Sequence, residues 1–286
     1  MSEAQISLST LQDRGFTAPY GEAVALSPLV TRLLAPNPGP FTFRGTGVYL
    51  VGGSGAVAVI DPGPLRDDHL AALKHAIGRR KVSHILITHT HRDHSESADV
   101  LKAWSGARTH AFGPQGAAST GEEADDTDFV PDIRLKDGDA IQGDGFTLTV
   151  LHTPGHASNH LCFALEEERA LFSGDHVMGW SSSVIAPPDG DMAAYLAGLR
   201  RLITRGDAIL YPTHGAPITQ PALYMEALLQ HRLAREEQIL ACLARGVTGL
   251  DELVNEIYAG LDRVLRPAAA LTIRAHLDKL KAEGRF

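Results

Sequence analysis

The sequence contains little cysteine and no long apolar run. Cys162 and Cys242 are the only thiols among 286 residues, so neither a disulfide framework nor a metal site built from thiolates is expected. No stretch approaches the roughly 20 consecutive apolar residues of a membrane span. Residues 1–16 also lack the apolar run of a signal peptide. We therefore expect a cytoplasmic protein that has no membrane partner.

Basic charge is scarce as well. The chain carries 26 Lys and Arg residues against 34 Asp and Glu residues, a formal net charge of −8, and residues 228–286 are nearly neutral, with nine basic and eight acidic side chains. Because proteins bind phosphate backbones through clustered Lys and Arg, this argues against an extended nucleic-acid interface. The acidic segment 122–128 lacks the spacing of a cation-binding loop, so we predict a solvent-exposed loop there.

Turn signals divide the chain into short strands and single helices up to about residue 215. This alternation favours layered α/β packing, in which functional side chains collect on loops at strand ends. From about Pro221 the pattern is helical, so we predict a first domain at 1–220 and a helical domain at 221–286. Strands are predicted at 24–34, 41–51, 56–60, 82–88, 108–112, 129–135, 145–152, 160–165, 169–173 and 208–211, and helices at 66–77, 95–104, 192–203, 223–246, 250–259 and 267–283.

Histidine, by contrast, is abundant: there are 14, and three stand in one short segment. Residues 88–94 read THTHRDH and follow the apolar strand predicted at 82–88. Burying such polar groups costs free energy unless they form hydrogen bonds or bind a metal ion. Zinc and similar ions bind neutral imidazole and carboxylate. Alternate residues of an extended loop point the same way, so His89 and His91 can bind one ion, leaving Asp93 and His94 for a second.

Three further polar residues each follow another predicted strand. They are His156 in TPGH, Asp175 in SGDH and His214 in PTHG. Strand ends that gather on one rim of a sheet can supply ligands without proximity in sequence. A single HxHxDH motif can arise by chance in a histidine-rich surface loop, but all four pieces in this order indicate a metal site.

The ordered set of HxHxDH, His, Asp and His resembles the signature of the metallo-β-lactamase superfamily. The resemblance covers about residues 20–220 and includes IDPG at 60–63. It implies an α/β fold, a four-layer αββα sandwich with a two-metal site in the rim groove, so that 1–220 would be the catalytic domain. Segments 37–52, 211–215, 231–240 and 271–286 resemble the branch called β-lactamase-like protein 2, which implies a small all-helical, winged-helix-like domain at the C-terminus.

The resemblance implies a role for each residue that matches its motif. The first metal would be bound by His89, His91 and His156, the second by Asp93, His94 and His214, and Asp175 would bridge the two. Asp93 and Asp175 would be the catalytic carboxylates, because Asp93 would also hold the attacking hydroxide. Asp61 would support the ligands from behind, and His160 and His176, which lie near ligands in sequence, are predicted to do the same.

One departure from the family pattern lies next to the ligand cluster. Relatives often read DHSGG after it, whereas this chain has Glu96 and Ser97 in place of the two glycines. Glycines there allow close backbone packing, so we expect the start of the helix predicted at 95–104 to sit differently, with the ligands unaffected.

The implied chemistry is hydrolysis at two metal ions. Two ions about 3.5–4 Å apart lower the pKa of a bridging water toward about 7 and orient the electrophile. The bridging hydroxide would then attack an ester, thioester, lactone or phosphodiester. We expect two zinc ions per chain, although the same donors also accept iron and manganese.

The substrate is less well determined than the chemistry. We expect a small molecule; the main alternative is endoribonuclease activity on single-stranded RNA, which one group of the branch has. A primary β-lactamase is disfavoured because a bridging aspartate such as Asp175 is typically absent from such enzymes. An iron persulfide dioxygenase and an inactive protein that retains metal are weaker alternatives. The helical tail is expected to cap the groove or to form a homodimer contact.

Overall fold

Two β-sheets form the centre of the chain in the computed structural model, which describes residues 7–116 and 125–286. The strands are β1 (Ala23–Ala25), β2 (Val30–Leu34), β3 (Gly47–Val51), β4 (Ala56–Ile60), β5 (Lys81–Leu86), β6 (Thr109–Ala111), β7 (Ile133–Arg134), β8 (Ala140–Gln142), β9 (Thr147–His152), β10 (Leu161–Leu165), β11 (Ala170–Gly174) and β12 (Ile209–Pro212). The helices are α1 (Leu8–Leu11), α2 (Asp67–Ile77), α3 (Arg92–Ser95), α4 (Ala98–Ser105), α5 (Met192–Ile203), α6 (Pro221–Ala244), α7 (Leu250–Ile257) and α8 (Arg266–Ala282), with a 3₁₀ turn at Arg263–Leu265.

Both sheets mix antiparallel and parallel pairs. The first has the order β1-β2-β3-β4-β5-β6-β7, antiparallel as far as β4 and parallel from β4 onward. The second has the order β12-β11-β10-β9-β8, in which β11 and β12 are parallel and the other pairs antiparallel. Strands β9, β11 and β12 therefore run in one direction, and their carboxyl ends lie at the same edge of the second sheet.

The two sheets face each other across an apolar core that follows the alternation of side chains along each strand. In β10, Leu161 and Phe163 point into the cluster between the sheets, whereas Cys162 points into the cluster on the outer face. In β4, Ala58 faces the other sheet and Val59 faces outward. Because successive side chains point to opposite faces, strands that are apolar at every position must be covered on both sides.

Helices supply that cover. Leu73 of α2 and Leu101 of α4 pack on the outer face of the first sheet. Tyr195 and Leu199 of α5, with Leu228 of α6, pack on the outer face of the second. The predicted four-layer αββα sandwich is therefore confirmed.

The C-terminal helices form a smaller cluster of their own. Ile239 and Cys242 of α6 pack with Leu253 of α7 and Ile273 of α8. The predicted all-helical C-terminal domain is thus confirmed as a type of structure. The division at residue 220 stays a prediction, because α6 contributes its first half to the sandwich and its second half to the C-terminal cluster.

The structure differs from the predicted elements at residues 41–46 and at the start of α4. The strand predicted at 41–51 is wrong for residues 41–46, which form a turn in which Phe43 has a φ of 56°. At the departure from the family pattern, Glu96 accepts a hydrogen bond from the backbone N–H of Leu65, and α4 begins only at Ala98, after the separate turn α3.

Across residues 7–116 and 125–286, no helix is long and apolar enough to span a lipid bilayer.

Candidate metal centre

The predicted ligands lie where four strands end, and Asp61 lies at the end of a fifth. The segment 87–95 follows β5, and the neighbouring parallel strand β4 ends at Ile60, directly before Asp61. In the second sheet His156, Asp175 and His214 follow β9, β11 and β12. Since these three strands run in one direction, they deliver their side chains to one edge, which faces the end of β5.

The structure brings all seven predicted ligands together. Their donor atoms form three sets, and within each set the atoms lie within 4.8 Å of one another. The sets are His89, His91 and His156; His89, His94 and Asp175; and Asp93, His94 and His214. The first and third sets are the two groups that the sequence assigns to two separate metals.

Asp175 lies between these two groups. Its Oδ2 is 3.7 Å from Nε2 of His94 and 3.4 Å from Nε2 of His214 on one side, and 3.9 Å from Nε2 of His156 on the other. This central position is the one that a bridging carboxylate needs.

Backbone carbonyls fix the orientation of two ligand rings. Nδ1 of His156 is 2.7 Å from the carbonyl oxygen of Val184, and Nδ1 of His214 is 3.2 Å from that of Gly45. A carbonyl only accepts hydrogen bonds, so the proton of each neutral ring stays on Nδ1. The lone pair of Nε2 is thereby directed into the site, as metal binding requires.

Asp61 supports the site from behind, where it is buried. Its Oδ1 accepts a hydrogen bond from the backbone N–H of Thr88, and its Oδ2 accepts bonds from the Thr88 hydroxyl (2.8 Å) and from Nδ1 of His94 (2.9 Å). Thr213, next to His214, also donates to Oδ2 at 3.3 Å. One carboxylate therefore holds the ends of both sheets together around the ligands.

The two other residues that the sequence predicts as supports are placed differently. His160 contacts the site: its Nε2 accepts a hydrogen bond from the backbone N–H of Asp175 at 3.1 Å, and its Nδ1 lies 2.9 Å from the Thr153 hydroxyl. His176 instead packs against Tyr195 with the rings tilted by 46° and their centroids 4.7 Å apart, and neither of its nitrogens has a hydrogen-bond partner in the part of the chain that the structure describes. Its supporting role stays a prediction.

The charges divide the site into two halves. In the histidine-rich half, burial and the neighbouring His156 lower the pKa of His91 to about 3, so its lone pair stays available. In the other half, burial alone would lower the pKa of His214, but the carboxylates of Asp175 and Asp93 raise it to about 10. The histidines in turn hold the pKa of Asp175 well below its usual range, against the effect of burial. The acidic half therefore attracts positive charge.

A loop that the sequence did not implicate orients Asp93. The Thr46 hydroxyl donates a hydrogen bond to Oδ2 of Asp93 at 2.9 Å, and Asn37 bonds both the hydroxyl and the backbone N–H of Thr46. The only signal for this contact is that Asn37 and Thr46 lie in segment 37–52, which resembles the family branch.

The acidic segment predicted as an exposed loop lies partly at the site. Residues 122–124 are outside the described part of the chain, but Asp125 and Asp126 are inside it. Oδ1 of Asp125 is 3.6 Å from Nε2 of His91, and Asp126 accepts a hydrogen bond from Ser95 at 2.9 Å. The expectation of a solvent-exposed loop is therefore wrong for Asp125, whose side chain is only 8% exposed, because this stretch pairs with the backbone at Thr90 and His91.

The donor set fits divalent cations. It consists only of imidazole nitrogens and carboxylate oxygens, the ligands that zinc, iron and manganese share. Among the described residues, Nε2 of His94 and Oδ1 of Asp175 are buried without a hydrogen-bond partner. Since buried polar atoms are normally paired, these atoms are best satisfied by an ion bound among the ligands.

Comparison with known proteins agrees with this fold and site. Residues 42–214 match the family described as the metallo-beta-lactamase superfamily, and residues 250–286 match the beta-lactamase associated winged helix domain. The chain is 34% identical over 252 residues to an atrochrysone carboxyl ACP thioesterase from Aspergillus chevalieri, covering 84% of this chain and 76% of that one. It is 30% identical over 278 residues to a beta-lactamase-like protein 2 homolog from Caenorhabditis elegans, covering 91% and 86%.

A solved structure has a similar fold. A metallo-beta-lactamase family protein from Thermus thermophilus superposes with a TM-score of 0.74 at 27% identity, covering 91% of this chain and 95% of that one. The αββα sandwich, the His/Asp cluster at its rim and the relative named a thioesterase together identify the protein as a hydrolase. The chain belongs to the metallo-β-lactamase superfamily, and it carries the winged-helix domain associated with it.

Proposed function

We propose that this protein hydrolyses thioesters of small acyl groups at a centre of two divalent metal ions, zinc in the first instance. The observation that carries the proposal is the convergence of seven imidazole and carboxylate ligands in two groups on either side of Asp175. The choice of a thioester is supported by the relatives named as ACP thioesterases, which include proteins from Aspergillus chevalieri and Passalora fulva.

The metal ions, when bound, lower the pKa of a coordinated water and polarise the carbonyl of the substrate. His89, His91 and His156 would hold one ion, Asp93, His94 and His214 the other, and Asp175 both. Hydrolysis forms a C–O bond from water to the acyl carbon and breaks the C–S bond, and the thiol leaves with a proton.

Asp93 is the residue best placed to orient the attacking water. Its side chain is 24% exposed, whereas those of His94, Asp175 and His214 are at most 5% exposed. His94 and His214 lower its pKa although burial opposes them, so the carboxylate is ionised at neutral pH and can accept a hydrogen bond that orients the attacking water. The Thr46 hydroxyl fixes one of its oxygens and leaves the other for the water.

A substrate panel tests this proposal. Acyl thioesters, aryl esters, lactones, a chromogenic β-lactam, a phosphodiester and single-stranded RNA would be assayed with the metal-loaded protein, with chelator, and after zinc is restored. We expect kcat/KM to be highest for thioesters, to fall to background with chelator and to recover with zinc. Metal analysis should give close to two ions per chain.

Asp175→Ala tests the role of the metal centre, because it removes the central ligand and should abolish turnover. Thioester turnover that persists unchanged in this variant would contradict a role for the centre. Preferential cleavage of RNA would instead favour the endoribonuclease alternative.

A further inference from the structure

A pair of stacked aromatic rings joins two loops beside the metal centre. Phe43 lies in the turn before β3, and Trp180 lies in the segment that follows β11. Their ring centroids are 4.8 Å apart and their planes differ by 8°. Both residues are half-buried. Such aromatic pairs stabilise a structure beyond the apolar area that they bury, so this contact holds the two loops together.

The loop that carries Phe43 contacts two of the three ligands assigned to the second metal ion. Two residues after Phe43, the carbonyl oxygen of Gly45 accepts the hydrogen bond from Nδ1 of His214. Three residues after it, the Thr46 hydroxyl donates to Oδ2 of Asp93. The position of this loop therefore affects the orientation of both ligands.

The segment that carries Trp180 contacts one of the same ligands. The backbone N–H of Gly179 donates a hydrogen bond to the carbonyl oxygen of His214 at 2.9 Å. Three residues after Trp180, the Ser183 hydroxyl donates to the carbonyl oxygen of Asp175 at 2.5 Å. One loop thus holds His214 through its ring and the other holds it through its backbone. Both bonds form together only while the two loops keep their relative position.

Phe43 has a backbone conformation that bulky residues rarely adopt. Its φ of 56° lies in the left-handed region, where such a side chain costs free energy and persists only if its surroundings hold it. Its backbone N–H donates to the carbonyl of Gly39 at 2.9 Å, and the guanidinium of Arg44 lies 5.0 Å from its ring centroid. These contacts and the stack on Trp180 supply that support. Residues held in this way cluster at functional sites.

We propose that Phe43 and Trp180 are positioning residues, whose stack holds His214 and Asp93 in the orientation that binds the second metal ion. This inference rests on the part of the proposed function that places two metal ions in the centre, and not on the choice of a thioester. Without the stack the two loops move relative to each other, so the hydrogen bonds to the two ligands no longer form together. The ion on the other side of Asp175 is affected less, because both ligands that the Phe43 loop contacts belong to the second ion.

Zinc titration of the metal-free protein against a chelating dye tests the inference. His214→Ala, which removes a ligand, identifies the part of the titration that belongs to the second ion. In Phe43→Ala we expect the affinity for that ion to fall about tenfold and the affinity for the first ion to stay the same, since outer contacts typically change metal affinity by about 10- to 100-fold. Phe43→Tyr keeps the flat ring and should retain the affinity of the wild-type protein.

Phe112→Ala is the matched control. Phe112 is also half-buried, and it stacks on His152 with ring centroids 4.1 Å apart and planes that differ by 9°, but neither residue is a predicted ligand. Its replacement should leave the affinity for the second ion unchanged. An equal fall in the two alanine variants, or an equal fall for both ions in Phe43→Ala, would show a general loosening of the fold and would overturn the inference.

A double-mutant cycle shows whether the two rings act together. Trp180→Ala and the double variant, which combines it with Phe43→Ala, would be titrated in the same way. If the stack positions the ligands, the double variant should lose about as much affinity for the second ion as either single variant, because the contact is already absent. Effects that multiply would mean that the rings act independently, and the inference would fail.

Thioester turnover, measured on the same samples, separates this inference from the proposed function. If zinc binding depends on Phe43 as expected but no thioester is cleaved, the thioesterase proposal fails and the positioning role stands. If thioesters are cleaved and zinc affinity is unchanged in Phe43→Ala, the positioning role fails and the thioesterase proposal stands. A wild-type protein that binds no second ion would overturn both.

Discussion

At the scale of single residues, the centre depends on buried polar groups that do not themselves bind metal. Thr46 fixes Asp93, the carbonyls of Gly45 and Val184 fix two histidines, and Asp61 joins the ends of both sheets. Each contact restricts a ligand to the orientation in which its lone pair faces the site. Mutation of such outer contacts typically lowers metal affinity or activity by about 10- to 100-fold.

Asp61→Asn tests the most connected of these contacts. Asp61 has a φ of 49°, a left-handed conformation that asparagine also tolerates, so the backbone should be preserved. An amide has one accepting oxygen, so it cannot replace both carboxylate oxygens toward Thr88 and His94. We expect metal affinity to fall about 10- to 100-fold, measured by competition with a chelating dye. Asp99→Asn on the exposed face of α4 is the control, and equal affinities in the two variants would contradict this role.

At the scale of elements, each ligand is held by the turn that follows its strand. The turn at 153–156 packs tightly against α5: Gly155 has a φ of 141°, and a Cβ there would come within 2.6 Å of several Tyr195 atoms. The close approach of this turn to α5 places His156 at the edge of the second sheet. This explains the glycine in TPGH, which the sequence pattern alone presents as an ordinary turn residue.

Gly155→Ala tests this packing. We expect it to cost about 1–3 kcal/mol of the free energy of unfolding, as overpacking does, and to weaken metal binding because His156 is displaced. Thermal unfolding and metal titration of the same sample measure both effects. Gly138→Ala is the matched control, since Gly138 also has a positive φ, 84°, but a Cβ there meets no atom within 4 Å. Equal losses in the two variants would show that backbone strain, and not contact with α5, is responsible.

At the scale of the whole molecule, α6 connects the two parts of the chain. Tyr224, Met225, Leu228 and Leu229 belong to the core that covers the second sheet, whereas Ile239 and Cys242 belong to the C-terminal cluster. Arg232 lies between these two sets and is buried. The metal centre and the C-terminal helices are thus parts of one continuous packing arrangement.

Two truncated chains test whether the first half of α6 is needed for the sandwich to fold. A chain that ends at Gln220 loses the four large core residues of α6 named above, each worth about 2–5 kcal/mol by analogy with large-to-small core substitutions. Together they contribute about 8–20 kcal/mol, as much as or more than the usual margin of about 5–15 kcal/mol. We expect it to show no cooperative thermal transition by circular dichroism. A chain that ends at Gly246 keeps the whole of α6 and should unfold cooperatively. A cooperative transition for the shorter chain would place the boundary at 220 after all.

The sequence alone determined many of the elements and the donor set of the centre. Strand β4 and helix α5 begin and end where the pattern predicts, and strands β9 to β12 lie within one or two residues of prediction, because alternation, helical spacing and turn residues are local signals. The seven ligands could be recognised because their residue types and their order are unusual, and each follows an apolar strand.

Only the tertiary structure decided which groups surround those ligands. Thr46, which Asn37 holds, reaches Asp93 across 47 residues. Asp125 returns to His91 from an acidic segment, and His176 packs against Tyr195. Arg232 looks in the sequence like one more charged position on a helix, yet it is buried against the Tyr195 ring. These contacts join segments far apart in the chain, so they depend on how the sheets and helices pack, which local patterns do not specify.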